Sequence, residues 1–416
     1  MNDELAGNHQ FPPSFITQHS TLIVFLAALL LYGLTALLGG NFHHQEFAYF
    51  NQLADAFMRG SLYLPNPDST HDLILFAGRF YVPFPPGPAL LLLPWVAAAG
   101  VGFNEVALSV VVGAVNVALM ARLLQSLTFQ GHSRLDGTGA LWLTALFAAG
   151  TVHWVSAATG SVSFLAHICA VTGLTLALWQ AAERRPWLAG LGMAWALVCR
   201  PTVVLATPAV LGLLLAPVAA QQETASRSSR HWLGVALAYA VPVLAAGALL
   251  LGYNHARFGS PLQFGYGWVQ TKTPFLAERL ATWGAFHPYF VPENLRVMLV
   301  GLPKVGLRMP PVWPDPNGIS LLLVTPAFLW LVTSWKREWV AAGVWLSVVL
   351  VAIPLLLYYN TAWVQFGYRF SLDFLPLLFV LLAIGLRRIT PLLKAAIVLS
   401  WLVNLWGVVW WFGRFY

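Results

Sequence analysis

The sequence predicts an all-α protein whose helices form a polytopic transmembrane bundle of about 10–12 spans. Of its 416 residues, 58% are hydrophobic and only 9% are charged, and the mean hydropathy is +0.70. A soluble domain carries about a quarter charged residues, so water cannot be the solvent for most of this surface. In lipid every backbone polar group must be bonded within its own segment, which makes helices the expected spanning elements.

Apolar runs bounded by polar or Pro/Gly-rich breaks mark the candidate spans. They cover 21–39, 88–102, 105–127, 139–156, 162–182, 187–199, 201–217, 232–252, 318–334, 339–358, 371–386 and 392–412. The polar segment before the first run has no basic region, and the run has no obvious cleavage site. We therefore expect Leu22–Leu38 to be a retained first span rather than a removed signal peptide.

Cations in the short gaps between runs indicate which loops face the cytoplasm. They are Arg184 and Arg185, Arg227 and Arg230, Lys336 and Arg337, and Arg387, Arg388 and Lys394. The two long segments, 40–87 and 253–317, are then expected on the other side together with 359–370. The formal net charge of +7 is scattered over such gaps, which argues against a nucleic-acid-binding surface.

The number of runs conflicts with this topology. Two loops on the same side must be separated by an even number of spans, whereas seven runs lie between 40–87 and 253–317. Either 88–102 is a short or re-entrant piece, or 187–217 is one element broken around Arg200-Pro201. Proline removes a backbone donor and kinks a helix, which fits the second solution, but the sequence leaves both open.

The two long loops have the composition of ordered surfaces rather than of linkers. Residues 46–60 show apolar positions at helical spacing and end at Gly60, which predicts an amphipathic helix on the membrane surface. Residues 253–317 are rich in aromatic residues, Pro and Gly and contain several cations. Long ordered loops of this kind are more often binding surfaces than passive connections.

The first long loop holds the densest cluster of ionisable residues in the chain. Its members are Glu46, Asp55, Asp68 and Asp72 with His43, His44 and His71. A carboxylate here can act as general base towards an acceptor hydroxyl or amine, and a nearby Arg or Lys can hold a phosphate. The alternative is a solvated loop helix whose charges only face water. The histidines could instead suggest a metal site, but their spacing matches no standard metal-ligand pattern. We predict no cofactor.

Two further motifs carry cations. The stretch 78–88 places Arg79 among aromatic residues just before a Pro-rich segment. Arg79 could contact an anionic headgroup there. The alternative is purely architectural: the prolines only fix an extended chain. The sequence Gln-Phe-Gly-Tyr occurs at 263–266 and again at 365–368, where Arg369 and Asp373 follow it. Ionisable groups at the start of an apolar helix are functional candidates, and an Arg369–Asp373 ion pair is the competing structural explanation.

Isolated polar residues in apolar runs are expected to be satisfied core residues. This applies to His153, His167 and Arg200, each taken alone. Cys169 and Cys199 also lie in apolar surroundings, so we expect buried spectator thiols rather than a disulfide or a metal cluster.

The order of motifs along the chain resembles the membrane glycosyltransferases of the GT-C superfamily. The bacterial branch related to protein O-mannosyltransferases and the lipid A aminoarabinose transferase, glycosyltransferase family 39-like, is the most similar. The first motif is the pattern Tyr-Phe-x-x-Leu-Ala-x-x-Phe-x-x-Gly at 49–60, with an acidic residue eight positions before its Ala. The second is Gly-Arg-Phe-Tyr-x-x-Phe-Pro-Pro-Gly-Pro at 78–88. Further matching segments are 150–154, 164–167, 199–201, 253–261 and 365–373. The resemblance covers nearly the whole chain, so residues 1–416 are expected to form one GT-C-like domain.

The resemblance implies an enzyme that moves a hexosyl or pentosyl unit from a polyprenyl-phosphate-linked donor to a glycan, lipid or protein acceptor by inverting displacement. It implies a multi-pass location in a bacterial inner membrane, with both long loops outside the cytoplasm and no metal. Aligning on the loop helix places Glu46 in the catalytic position, with Asp55 and Asp72 in reserve. The donor phosphate is then expected near Arg79, Arg257 and Arg369. The expected substrate-pocket residues are His44, His167, Tyr266, Gln365 and Tyr368.

This chain departs from the family pattern at two positions. The catalytic position holds Glu46 rather than Asp, and Phe84 stands where the aminoarabinose transferase branch has a Lys. The missing Lys means that another group, for which Arg79 is the candidate, must contact the headgroup. Two other functions therefore stay open: a non-catalytic lipid-binding protein on a degenerate transferase scaffold, and a multi-span transporter. Transporters tend to show two similar halves, and no such internal symmetry is visible in this sequence.

Overall fold

The computed structural model describes residues 16–43, 47–216, 229–307, 310–335 and 339–413. His44 and Glu46, and the cations Arg227, Lys336 and Arg337, lie outside the described residues. The helices are α1 Ile16–Leu38, α2 Tyr49–Met58, α3 Gly87–Ala99, α4 Glu105–Phe129, α5 Gly137–Ala149, α6 His153–Thr159, α7 Ser163–Ala182, α8 Pro186–Cys199, α9 Thr207–Leu215, α10 Ser229–Phe258, α11 Pro274–Trp283, α12 Val291–Val300, α13 Leu321–Val324, α14 Trp339–Leu356, α15 Leu375–Gly385 and α16 Pro391–Phe412. Short 3-10 segments lie at Asn41–His43, Pro201–Ala206, Tyr266–Trp268, Pro288–Phe290, Pro326–Ser334 and Arg369–Asp373. The strands are β1 Ile74–Phe76, β2 Arg79–Tyr81, β3 Lys304–Val305 and β4 Val312–Trp313.

The predicted all-α membrane bundle is confirmed. In the described part of the chain, α1, α4, α7, α10, α14 and α16 are long and apolar enough to cross a membrane. The α5–α6 pair, bent by 49°, counts as a seventh span if it is one unit. Four further apolar helices of 10–17 residues are shorter: α3, α8, α15 and the segment Pro201–Leu215.

Helix α3 begins and ends at the same end of the bundle. The Asn51 side chain in α2 donates to the carbonyls of Val101 and Phe103, at 3.1 and 2.5 Å, in the turn after α3. Asn104, the residue before α4, donates to the Phe42 carbonyl at 2.8 Å, just after α1. The segment 88–102 therefore returns to the end at which α1 stops, called here the loop end, and does not cross.

The segment 187–217 is a hairpin of two apolar helices, not one broken pass. Arg184, before α8, donates to the carbonyl of Leu214 at 3.3 Å and to that of Ala216, both at the end of α9. The chain thus leaves that end of the bundle in α8, turns near Arg200 and comes back through Pro201–Leu215. Because this hairpin starts and ends on one side and α3 does not cross, the number of passes between the two long loops is even, which removes the conflict in the sequence-based topology.

Small residues let the central helices approach closely. A Cβ placed on Gly173 of α7 would lie 2.5 Å from the Ala196 backbone nitrogen of α8. One placed on Gly192 of α8 would lie 2.6 Å from the Ala177 nitrogen of α7. Lipid gives no hydrophobic drive for helices to associate, so close backbone packing of this kind stabilises the pair. The two predicted spectator cysteines are buried here with free thiols.

The two long loops meet through backbone hydrogen bonds. The Asp72 nitrogen donates to the Gln270 carbonyl at 2.8 Å, and the Gln270 nitrogen donates to the Leu73 carbonyl at 2.7 Å. These bonds continue β1, which pairs with β2 through a two-residue turn whose Ala77 and Gly78 both have positive φ. The predicted surface helix is present as α2, and its apolar face packs against α3. Loop-to-loop pairing of this kind fixes the position of Asp72.

Candidate functional site

A cavity of about 110 Å³ opens at the loop end of the bundle. It is enclosed by parts of the first long loop, the second long loop and the segment around 354–370, with the turn at 200–202 below. Its lining residues are Asp72, Pro83, Phe84, Ser163, Arg200, Pro201, Thr202, Tyr266, Val269, Phe286, Pro354, Leu355, Tyr358, Tyr359, Asn360, Ala362, Trp363, Arg369 and Phe370. Three residues predicted as functional, Asp72, Tyr266 and Arg369, meet in this one space.

Asp72 supplies a carboxylate at the cavity rim. Its side chain is 50% exposed and lies 3.6 Å from the Nε2 atom of His71. The backbone at Asp72 has a φ of 60°, a left-handed conformation that Asp tolerates better than most residues. Desolvation by the surrounding walls raises the pKa of the carboxyl group, against the opposing charges of His71 and Arg369. A carboxylate with a raised pKa is a stronger base than an ordinary surface Asp.

Arg369 supplies a buried cation. Arg369 is only 8% exposed. Its backbone nitrogen donates to Gln365 Oε1 at 2.7 Å, and its guanidinium carbon lies 4.1 Å from the Phe164 ring centroid. Nη2 donates to the Ala362 carbonyl at 3.3 Å, whereas Nε has no hydrogen-bond partner within the described part of the chain. Burial lowers the pKa of Arg369 to about 9, which leaves the guanidinium protonated at neutral pH.

No carboxylate among the described residues forms an ion pair with Arg369. The alternative expectation of an Arg369–Asp373 pair is therefore wrong. The reason is local: both residues belong to a tight 3-10 turn, in which Asp373 faces the α7 and α8 side and Arg369 faces the cavity. A buried guanidinium that no carboxylate contacts directly can still bind an anion through its N–H groups.

Asp373 instead binds Arg200 and His167. Arg200 Nε donates to both carboxylate oxygens at 3.2 and 3.1 Å, and its Nη2 donates to Oδ2 at 2.9 Å. His167 Nδ1 donates to Oδ1 at 2.7 Å, and the Thr202 hydroxyl donates to Oδ2 at 3.0 Å. Three different side chains therefore hold the buried Asp373 carboxylate.

Aromatic rings form one wall of the cavity. The Tyr266 ring packs edge-on against Phe286 and Tyr358, with centroids 5.5 and 5.9 Å apart, and Tyr358 packs against Phe370 at 6.0 Å. Burial raises the pKa of both Tyr266 and Tyr358, so their hydroxyls stay protonated and can donate hydrogen bonds. Such a wall combines flat apolar faces with polar edges.

The remaining predicted cations and carboxylates lie away from the cavity lining. Asp55 pairs with Arg59 one turn along α2. Arg79 is exposed on β2, with its guanidinium 4.6 Å from the Tyr63 ring centroid. Arg257 is buried at the end of α10, where it donates to the Val82 carbonyl at 3.0 Å. The described geometry gives Arg257 the role of tying α10 to the segment that enters α3.

Three predicted substrate-pocket residues are held in packed surroundings behind the lining. Gln365 is fully buried; its Nε2 donates to the Asn317 carbonyl at 2.8 Å, and its Oε1 accepts from Arg369. Tyr368 is buried at 1% exposure. His167 is fully buried against Asp373. Gln365 therefore acts on the cavity through Arg369, and His167 through Asp373.

Sequence reasoning missed the role of Arg200 and of the Tyr358–Tyr359–Asn360 segment. The sequence predicts Arg200, by itself, to be a satisfied core residue, whereas its partner Asp373 lies 173 positions later in the chain. The available signal was the pair of interrupted apolar runs, because Arg200 and Asp373 each stand where a helix stops or starts.

Among the described residues no group of three or more His, Cys, Asp or Glu side chains is arranged to hold a metal ion.

No family model matches this chain, and no curated protein matches it. A solved structure of the Saccharomyces cerevisiae protein O-mannosyltransferase Pmt1–Pmt2 complex bound to the sugar donor aligns with it at 14% identity and a TM-score of 0.38. The alignment covers 71% of this chain and 39% of that chain, so this protein spans about two fifths of the length of its structural neighbour. A likeness of this size says nothing about activity, and the function rests on the residues of the cavity.

Proposed function

We propose that this protein is a membrane glycosyltransferase that moves a sugar from a polyprenyl-phosphate donor to an acceptor bound at the loop-end cavity. The observation that carries the proposal is the placement of Arg369, a buried guanidinium without a carboxylate partner in the described chain, in the same cavity as the Asp72 carboxylate. Phosphoryl leaving groups need a cation, and acceptor hydroxyls or amines need a base. The motif order that resembles the GT-C superfamily supports the same assignment.

The reaction is a single inverting displacement. The acceptor oxygen or nitrogen attacks the sugar carbon that bears the phosphate, and its proton passes to a carboxylate of the first long loop. The bond between that carbon and the phosphate oxygen breaks, and the electron pair stays on the departing polyprenyl phosphate. Arg369 stabilises this developing charge, which is worth most in a cavity with little water.

Three carboxylates are candidates for the base. The family resemblance assigns the role to Glu46, which lies outside the described residues. The described geometry supports Asp72, since its carboxylate is in the cavity and its pKa is raised. Asp55 is the weaker reserve because its carboxylate is taken by Arg59 on α2.

The aromatic wall suits a sugar ring. Tyr266, Tyr358 and Trp363 offer flat faces for the C–H side of a pyranose or furanose, and the protonated phenols offer donors to its hydroxyls. The lipid tail of the donor would extend from the cavity into the bilayer around the bundle. We further propose the location that the resemblance implies: a bacterial inner membrane, with the cavity facing away from the cytoplasm.

The test is sugar transfer by the full chain in lipid nanodiscs, with a panel of radiolabelled polyprenyl-phosphate sugars and envelope extracts as acceptor. Glu46→Gln and Asp72→Asn are compared with Asp68→Asn, a matched carboxylate on the same loop that accepts a hydrogen bond from the Gln52 side chain. We expect the variant that removes the base to lose about 10²–10⁴-fold in rate and Asp68→Asn to retain it.

Each outcome decides between stated alternatives. If only Glu46→Gln loses transfer activity, Glu46 is the base, as the family resemblance implies. If only Asp72→Asn loses it, Asp72 is the base, as the cavity geometry supports. Retention of full transfer in both variants contradicts a base at Glu46 or Asp72 and leaves Asp55 as the remaining first-loop candidate. Failure of the wild type to transfer any sugar of the panel favours the transporter or the non-catalytic lipid-binding protein.

A further inference from the structure

We infer that Arg200 is a second anion-binding group of the cavity and that Asp373 and His167 are positioning residues that hold its guanidinium towards the anion. The inference rests on the proposed function only for the identity of the anion, a polyprenyl phosphate monoester. Arg200 lies at the turn between α8 and the Pro201–Ala206 segment, and Asp373 ends the 3-10 turn that begins at Arg369. The two arginines therefore enter one cavity from different parts of the bundle.

The orientation of the Arg200 guanidinium follows from its hydrogen bonds. Its Nε and Nη2 edge is occupied by the Asp373 carboxylate, at distances of 2.9–3.2 Å. No hydrogen bond from Nη1 to another described residue is present, and Arg200 lines the cavity. A guanidinium is a rigid planar fork, so fixing one edge fixes the direction of the other N–H groups. The Phe370 ring, 5.9 Å from the guanidinium carbon, closes one of its faces.

The Asp373 carboxylate cannot turn because both of its oxygens are engaged. Oδ1 accepts from His167 Nδ1 and from Arg200 Nε, while Oδ2 accepts from Arg200 and from the Thr202 hydroxyl. His167 is fully buried, and its Nδ1 must carry the hydrogen in order to donate. His167 and Arg200 therefore both donate to the Asp373 carboxylate, so His167 fixes the carboxylate that in turn fixes the Arg200 guanidinium beside the cavity.

The two arginines contribute different things to an anion. The Arg200 charge is paired with Asp373, so Arg200 mainly supplies N–H groups in a fixed direction. Arg369 forms no direct ion pair with a carboxylate in the described part of the chain, and the Asp72 carboxylate acts on it only across the cavity, so Arg369 mainly supplies positive charge. Arg200→Lys would keep the positive charge but lose the planar, two-sided set of N–H donors. Arg369→Lys would keep the positive charge, which is what Arg369 mainly contributes.

The experiment measures binding of undecaprenyl monophosphate to the full chain in nanodiscs, with undecaprenol as the uncharged reference lipid. Loss of one charge-assisted hydrogen bond corresponds to a change of about tenfold or more in affinity, so we expect Arg200→Lys to weaken phosphate binding by about tenfold. Undecaprenol binding should stay unchanged. Arg296→Ala, which removes an exposed cation on α12, is the matched control. Wild-type phosphate affinity in Arg200→Lys would overturn the role of Arg200.

Substitutions of His167 test positioning without changing charge. An Asn amide nitrogen occupies the place of Nδ1 and can still donate to Asp373, whereas a Gln amide nitrogen occupies the place of Nε2 and cannot. We expect His167→Asn to bind undecaprenyl monophosphate more tightly than His167→Gln does. Equal affinities in two variants that elute as monodisperse protein would contradict the positioning role.

Asp373→Asn separates positioning from simple electrostatics. The substitution removes a negative charge beside the cavity, so electrostatics alone predicts tighter phosphate binding. Loss of the two-oxygen hold on Arg200 predicts weaker binding, which is our expectation. If Asp373→Asn does not fold, the His167 pair and Arg200→Lys still decide the question.

These measurements are independent of catalysis. Phosphate binding that depends on Arg200 and His167, together with no sugar transfer by the wild type, keeps this inference and removes the proposed function. If the wild type transfers sugar but substitutions at Arg200 and His167 leave phosphate affinity unchanged, the inference is wrong and the proposed function stands.

Discussion

The Arg200 Nη2 atom lies 2.9 Å from Asp373 Oδ2 and joins the end of α8 to the turn before α15. Both side chains are almost completely buried, so removing either partner leaves an uncompensated charge. We expect Arg200→Met or Asp373→Leu alone to destabilise the fold by about 3–5 kcal/mol.

A double-mutant cycle checks this coupling. The Arg200→Met/Asp373→Leu protein should lose less stability than the sum of the two single changes, because no buried charge is left without its partner. Thermal unfolding in detergent, followed by loss of the monodisperse elution peak, gives the comparison. Additive losses would mean that the pair is not coupled.

Arg369 is expected to matter more for turnover than any exposed arginine. Arg369→Ala removes the buried cation next to the leaving phosphate and should lower kcat/KM by about 10²–10³-fold, as the loss of one preorganised stabilising group does. Arg369→Lys keeps a charge and should lose less. Steady-state kinetics with Arg296→Ala as control distinguish the site from a general effect of net charge; an equal loss in the control argues against it.

If Asp72 is the base, the rise of kcat/KM at low pH (the acid limb of the profile) should follow the ionisation of its carboxyl group. Desolvation raises its pKa above the usual value of about 3.9, and only the ionised carboxylate accepts a proton. Transfer is therefore expected to rise with pH through a pKa above that value. Because the Arg369 charge lowers this pKa, Arg369→Gln should move the limb to higher pH. The measurement is kcat/KM against pH, and an unchanged limb in Asp72→Asn assigns it to another group.

Gly407 in α16 is expected to tolerate no side chain. A Cβ there would overlap the Phe366 ring of the second Gln-Phe-Gly-Tyr motif. Gly407→Ala should destabilise the fold by about 1–3 kcal/mol through overpacking. The control is Gly234→Ala in α10, where a Cβ meets nothing within 4 Å. A melting temperature of Gly407→Ala equal to that of the control contradicts the packing of α16 on this motif.

We expect sugar transfer to be independent of metal. The prediction comes from the family resemblance and from the spacing of the histidines in the sequence. Full turnover after dialysis against EDTA is the expected result. Activity that is lost with chelator and restored by a divalent ion would show that a metal takes part.

Several parts of the architecture follow from local sequence. The surface helix at 46–60 could be placed because its apolar positions recur at helical spacing, and α2 occupies Tyr49–Met58. The long apolar runs gave the spans for the same reason. Segment 88–102 is as apolar as a span, yet α3 turns back, because its path depends on Asn51 and Asn104 binding distant carbonyls.

The composition of the chain by itself determined that this is a helical membrane protein, since lipid leaves an apolar chain no other way to satisfy its backbone. Sequence motifs also gave Asp72, Tyr266 and Arg369 as candidates, one at a time. Only the tertiary structure decided that these three share a cavity and that Asp373 pairs with Arg200 rather than with its neighbour Arg369. Hydrophobic patterning is a local property of the chain, whereas the partner of a buried charge is set by which helices pack together.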